Sequence, residues 1–191
     1  MDYARVIAGE SYCISGVRLK PMQLGHVALL EAIGCEPVSS PEQLSMAMLT
    51  CSHDWDVSRS ILFDKRFLKL RLYFIGRKIV KHGYLSRLEH WREYLTLNTS
   101  LPKVVTDGDD ASESGTPFLQ LVRTTLISHC NYNPLTVMGT PYLQALWDYI
   151  AYWESKGTCD IYDESYLDDM KSMHEEFREK LKERGGLNGN R

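Results

Sequence analysis

The stretch 57–82 constrains the fold most. It contains no proline, stops against Gly83, and places apolar residues on two sides of one helical wheel. Ile61, Leu68, Leu72, Ile75 and Ile79 share one face at the helical period, and Phe63, Phe67, Leu70 and Phe74 lie nearly opposite. As one helix the stretch would be about 39 Å long. A compact chain of this size has a radius of gyration of about 16 Å, so such a helix would cross most of the molecule. Two apolar faces predict a helix sandwiched between other elements and buried on both sides. The alternative is a break near Asp64-Lys65, giving two helices that each bury one face.

The elements around it are punctuated by turn and cap chemistry. Residues 11–14 and 17–20 read as two short strands joined by Ser15-Gly16, a hairpin turn. Pro21 opens a helix that runs to about Ile33 and ends at Gly34, with Met22, His26, Leu29, Leu30 and Ile33 near one face. Ser40 is the N-cap of the next helix, Pro41 its first residue, and Gln43 completes a capping-box pattern, while Leu44, Ala47, Met48 and Cys51 form its buried stripe. After Gly83, residues 84–97 read as a helix with Leu85, Leu88, Trp91 and Leu95 in register. Thr116-Pro117 and Thr140-Pro141 open two more, with Phe118, Val122 and Leu126 inward in the first and Leu143, Leu146, Trp147, Ile150 and Trp153 along the second. Residues 159–162 read as a connector or short strand, and Asp163 caps a last helix over about 164–184.

The fold class expected is therefore mainly α, a compact multi-helix domain with a small N-terminal β-hairpin. Residues 1–105 hold the hairpin and a first helical half. Residues 106–116 are an acidic Gly/Ser linker or loop, residues 117–184 a second helical half packed with the first as one domain, and 185–191 a disordered tail. At 191 residues, 43% apolar and 25% charged, the chain has the composition of a globular protein with its own core, which excludes collagen-like, low-complexity and wholly disordered classes. Five cysteines without a CxxC, and no apolar leader in residues 1–9, read as reduced thiols in a cytoplasmic protein. The longest stretch free of charged residues, 124–147, is broken by His129, Asn131, Pro134, Gly139 and Pro141, so no membrane span is expected.

Catalytic chemistry finds no support in the motifs. There is no nucleophile elbow and no phosphate-binding glycine loop. Cys51, His53, His129 and Cys130 supply the ligand types of a zinc site but at no zinc-module spacing, and they read as core thiols beside turn histidines. Asp160, Asp163, Glu164, Asp168 and Asp169 suit the macrodipole of the last helix without any ligand. No catalytic residue, metal or cofactor is expected.

Charge is unevenly spread. The net charge is −3, yet 57–92 carries ten Lys or Arg against Asp64 and Glu89. With interleaved aromatics this would suit single-stranded nucleic acid. The acids of 107–113 and 144–184 favour internal neutralisation or a protein partner instead. In the last helix Leu167, Met170, His174, Phe177 and Leu181 make a narrow apolar seam on an otherwise charged surface. That seam either docks on its own domain or binds a partner, a second copy included. The partner-binding residues it offers are Leu167, Met170, Phe177 and Leu181.

Three stretches resemble tail assembly chaperones of long-tailed bacteriophages and prophages. They are 17–31 (VRLKPMQLGHVALLE), 46–52 (MAMLTCS), and 141–157 (PYLQALWDYIAYWESKG) followed by Ile161-Tyr162-Asp163-Glu164. The shared pattern is a strand, a Leu-x-Pro-x-x-Leu-Gly-His run into a helix, and a late Pro-led aromatic helix ending in Glu-x-x-Gly. The resemblance implies a non-enzymatic role in host cytoplasm: binding the tape-measure protein, or the tail tube protein, and keeping the tape-measure protein's apolar surface from aggregating during tail morphogenesis. A virion structural component of tail or neck, and a nucleic-acid-binding helical module using 57–92, are the alternatives.

Overall fold

A computed structural model describes residues 12–100, 103–105 and 116–162. It is mainly helical, with seven α-helices among the described residues and an antiparallel N-terminal hairpin. In order these are β1 (Tyr12–Ile14), β2 (Val17–Leu19), α1 (Leu24–Ala32), α2 (Pro41–Cys51), α3 (Trp55–Phe63), α4 (Lys65–Lys81) and α5 (Tyr84–Thr99). Then come β3 (Lys103–Val105), α6 (Phe118–His129), a 3-10 turn (Val137–Gly139), α7 (Tyr142–Ser155) and β4 (Asp160–Tyr162). The linker 106–115 and the last helix of the sequence reading lie outside the described residues.

The described residues divide into two compact units. The first spans 12–100 and 116–152. In its hairpin Tyr12 pairs with Leu19 and Ile14 with Val17, and both turn residues, Ser15 and Gly16, have positive φ (52° and 71°). That is the backbone twist a two-residue turn needs to match the strands. The second unit contains β3 antiparallel to β4, with Val104 opposite Ile161.

Two apolar clusters organise the first unit. One joins Ile14, Leu19 and Met22 to the stripe of α2, to Ile75 and Ile79 of α4, and to Leu88, Trp91 and Tyr94 of α5. The other sets Leu24 of α1 against Val122, Leu126, Val137, Ala145 and Leu146. Tyr142 packs against both. Gln23 bridges Pro141 in antiparallel fashion, with Tyr142 N–H donating to the Met22 carbonyl (2.7 Å) and Leu24 N–H to the Thr140 carbonyl (3.0 Å). That pairing explains one difference from the sequence reading. Pro21 does not begin a helix, because Gln23 is extended and pairs with Pro141, and α1 starts at Leu24.

The larger difference is at 57–82. The chain breaks at Asp64, whose extended ψ of 95° separates α3 from α4, so the two-helix alternative holds. The expectation of burial on both faces is corrected: Ile75 and Ile79 are buried, while Phe63, Phe67, Leu70 and Phe74 stand 52–71% exposed. Three single residues change place as well. Leu85 and Phe118 are exposed, and Tyr94 takes the core position beside Trp91.

Candidate functional site

The exposed side of α4 is the feature the packing leaves unused. Its inner face lies on α2 at short range. Gly76 eases this approach, since a Cβ there would sit a tight 3.3 Å from Ser45 Oγ, and Ser45 is itself turned back to donate to the Pro41 carbonyl (2.7 Å). Docked this way, α4 turns Phe67, Leu70 and Phe74 to solvent with Tyr73 and Val80 beside them. Tyr73 and Phe74 meet edge to face at 5.8 Å. Exposed large side chains are common singly, whereas a run of them along one helix is a feature that interaction surfaces commonly share.

Along one flank of α4 a groove of about 730 Å³ opens between it and the start of α2. Leu72, Tyr73, Gly76 and Val80 form its apolar part, and Lys69, Arg77 and Lys81 its cationic rim. Pro41 and Glu42 stand on the α2 side. The whole of α4 carries seven Lys or Arg and neither Asp nor Glu. A smaller concavity of about 400 Å³ lies by Trp55, Arg59 and Phe63 on α3. The α4 side of the surface thus combines apolar anchors with cations alone, and Glu42 is the one acid on the opposite wall among the described residues, an arrangement that suits capture of a mainly anionic, apolar-faced ligand.

A second constellation is structural. His26 is buried, and its Nδ1 accepts from Gln23 N–H (3.1 Å), so Nε2 carries the proton and donates to the His53 carbonyl (2.9 Å). Burial holds this imidazole down to a pKa of about 4. Gln23 also takes the Trp55 N–H on its Oε1 (2.7 Å) and reaches Asp54 Oδ1 with Nε2 (3.3 Å). Asp54 pairs with Lys20 (2.5 Å), which holds its carboxyl below the ordinary range. Gly25 leaves room for the Trp55 ring. The Leu-Gly-His run therefore locks α1 to the start of α3.

The cysteines and histidines of the considered zinc set have separate surroundings. Cys51 is buried in the first cluster, its thiol pushed up to about 12 by desolvation, whereas Cys130 packs at the second. His53 Nδ1 meets Ser52 Oγ (2.8 Å), and His129 stacks on Tyr152 at 4.6 Å. Among the described residues no group of three or more His, Cys, Asp or Glu is placed to hold a metal, and no helix is long and apolar enough to cross a membrane.

Leu167, Met170, Phe177 and Leu181, the binding residues read from the sequence, lie outside the described residues, as do Asp163, Glu164, Asp168 and Asp169. The groove and the Phe67–Phe74 strip were missed. One signal was legible: on the α4 wheel Arg71 and Lys78 fall close to the meridian of Phe67 and Phe74. A face that carries two cations cannot be dry core. Compared with known proteins, the chain matches no family model, no curated protein and no solved structure.

Proposed function

We propose that the chain is a non-enzymatic tail assembly chaperone, which holds the tape-measure protein of a long-tailed phage in solution during tail morphogenesis. The observation that supports this most is the exposed apolar strip of α4 beside a cation-rimmed groove, an arrangement suited to an amphipathic helix laid in a groove. The resemblance in 17–31 and 141–157 supports it independently, and those two stretches meet in the fold through the Gln23–Pro141 bridge. The seam at Leu167, Met170, Phe177 and Leu181 is proposed as a second contact for the same partner.

Co-expression with the tape-measure protein is the test. The wild-type chain keeps the partner in the soluble fraction, and Phe67→Asp with Phe74→Asp reduces that fraction severalfold while leaving the fold intact. A partner equally insoluble with and without the chain refutes the reading.

A second reading is favoured by one observation: Phe67, Tyr73 and Phe74 are exposed rings among cations, as on a single-stranded nucleic-acid platform. It requires tight binding of an oligonucleotide that weakens steeply with salt.

A further inference from the structure

We infer that the groove between α2 and α4 takes an acidic amphipathic helix from a protein partner. This rests on the chaperone reading and names the chemistry its partner segment must have. Three features carry it. The apolar part, Leu72, Tyr73 and Val80, can receive anchors spaced along one helix face. The rim, Lys69, Arg77 and Lys81, lies on the same element and asks for carboxylates on the flanks of that helix. The groove is concave and walled by two helices, so a flat lipid surface does not enter it.

Other occupants fit less well. A second copy docked α4 to α4 would bring Lys69, Arg77 and Lys81 onto the same three cations, with no acid on either helix, and like charges across an interface are strongly unfavourable. A polyphosphate would have to lie beside Glu42 on the α2 wall. A protein helix can place a Lys or Arg there and turn that carboxylate into a contact.

The experiment uses the full chain and two synthetic 18-residue helical peptides with Leu and Phe on one face. One carries Glu on both flanks, and the other carries Lys at the same positions. Fluorescence anisotropy reads both, and a single-stranded oligothymidylate is the third probe. The Glu peptide is expected to bind about tenfold or more tighter than the Lys peptide and tighter than the oligonucleotide at equal ionic strength. Lys69→Glu with Arg77→Glu, both at exposed positions, is expected to reverse the peptide preference with circular dichroism unchanged. Equal binding of the two peptides, tighter binding of the oligonucleotide, or an unreversed preference in the double variant overturns the inference. If that variant still keeps co-expressed tape-measure protein soluble, the chaperone reading survives and the groove assignment falls. If the wild-type chain selects the Glu peptide but does nothing for tape-measure protein, the groove assignment stands without that reading.

Discussion

Gly25 and His26 show how much one position can decide. A Cβ at residue 25 would lie 2.6 Å from the Trp55 ring. Gly25→Ala must therefore push Trp55 or α1 aside, an overpacking cost of about 1–3 kcal/mol, measurable by denaturant unfolding. His26 gives a pH dependence whose sign is fixed by its burial. The folded chain holds the imidazole neutral down to about pH 4, whereas the unfolded chain titrates near 6.5. Between those values the unfolded state binds the extra proton. The contribution is complete above about pH 6.5 and is lost as pH falls toward 4, on the order of 3 kcal/mol in all. Protonation would also set a new Nδ1–H against the Gln23 N–H. His26→Gln should flatten the stability curve across that window, read by unfolding at stepped pH.

At the scale of elements, α4 divides sharply between its two sides. Ile79→Ala removes a fully buried side chain from the α2–α4 contact and should cost about 2–5 kcal/mol. Phe67→Ala, on the exposed side, should stay within about 0.5 kcal/mol of wild type. Comparable losses at both positions would mean the strip is packed in solution. Local signals made many boundaries readable. Ser40 accepts from Gln43 N–H (3.2 Å) as its capping pattern predicts, and Gly83 (φ 84°) and Gly157 (φ 70°) sit where two helices stop. What could not be read depends on distant partners. β3 is three residues whose only mark as a strand is Val104-Val105, and it pairs with a segment far along the chain. The start of α1 was misplaced because the backbone of Met22 is held by Asn98 (2.8 Å) and Tyr142, neither visible locally. The exposed strip of α4 reads as core in the sequence because apolar periodicity alone does not say which of two stripes is covered.

For the whole molecule, a chain of net charge −3 carries a helix of seven cations, and that contrast bears on the proposed encounter with an acidic partner. Association with an acidic partner should slow as salt rises, with most of the change in the on-rate, checked by stopped-flow or surface-based kinetics. The sequence seam makes a separable prediction. Met170→Asp with Phe177→Asp should weaken partner retention further when combined with the α4 variants, since a charge in a dry groove is costly and one in water is nearly free.

The Gln23–Pro141 bridge also orders events in time. Its two sides are more than a hundred residues apart, and Leu24 closes its cluster only with residues from α6, the 3-10 turn and α7. On a translating ribosome, which adds roughly 5–20 residues each second, the hairpin and helices α1 to α5 emerge seconds before Pro141 does. During that interval Leu24 has no cover, while the strip on α4 has the same exposure it keeps in the finished protein. A nascent chain paused before Pro141 would thus be sticky at a site destined for burial, and the arrival of α7 is the step that covers Leu24 while the α4 strip stays exposed.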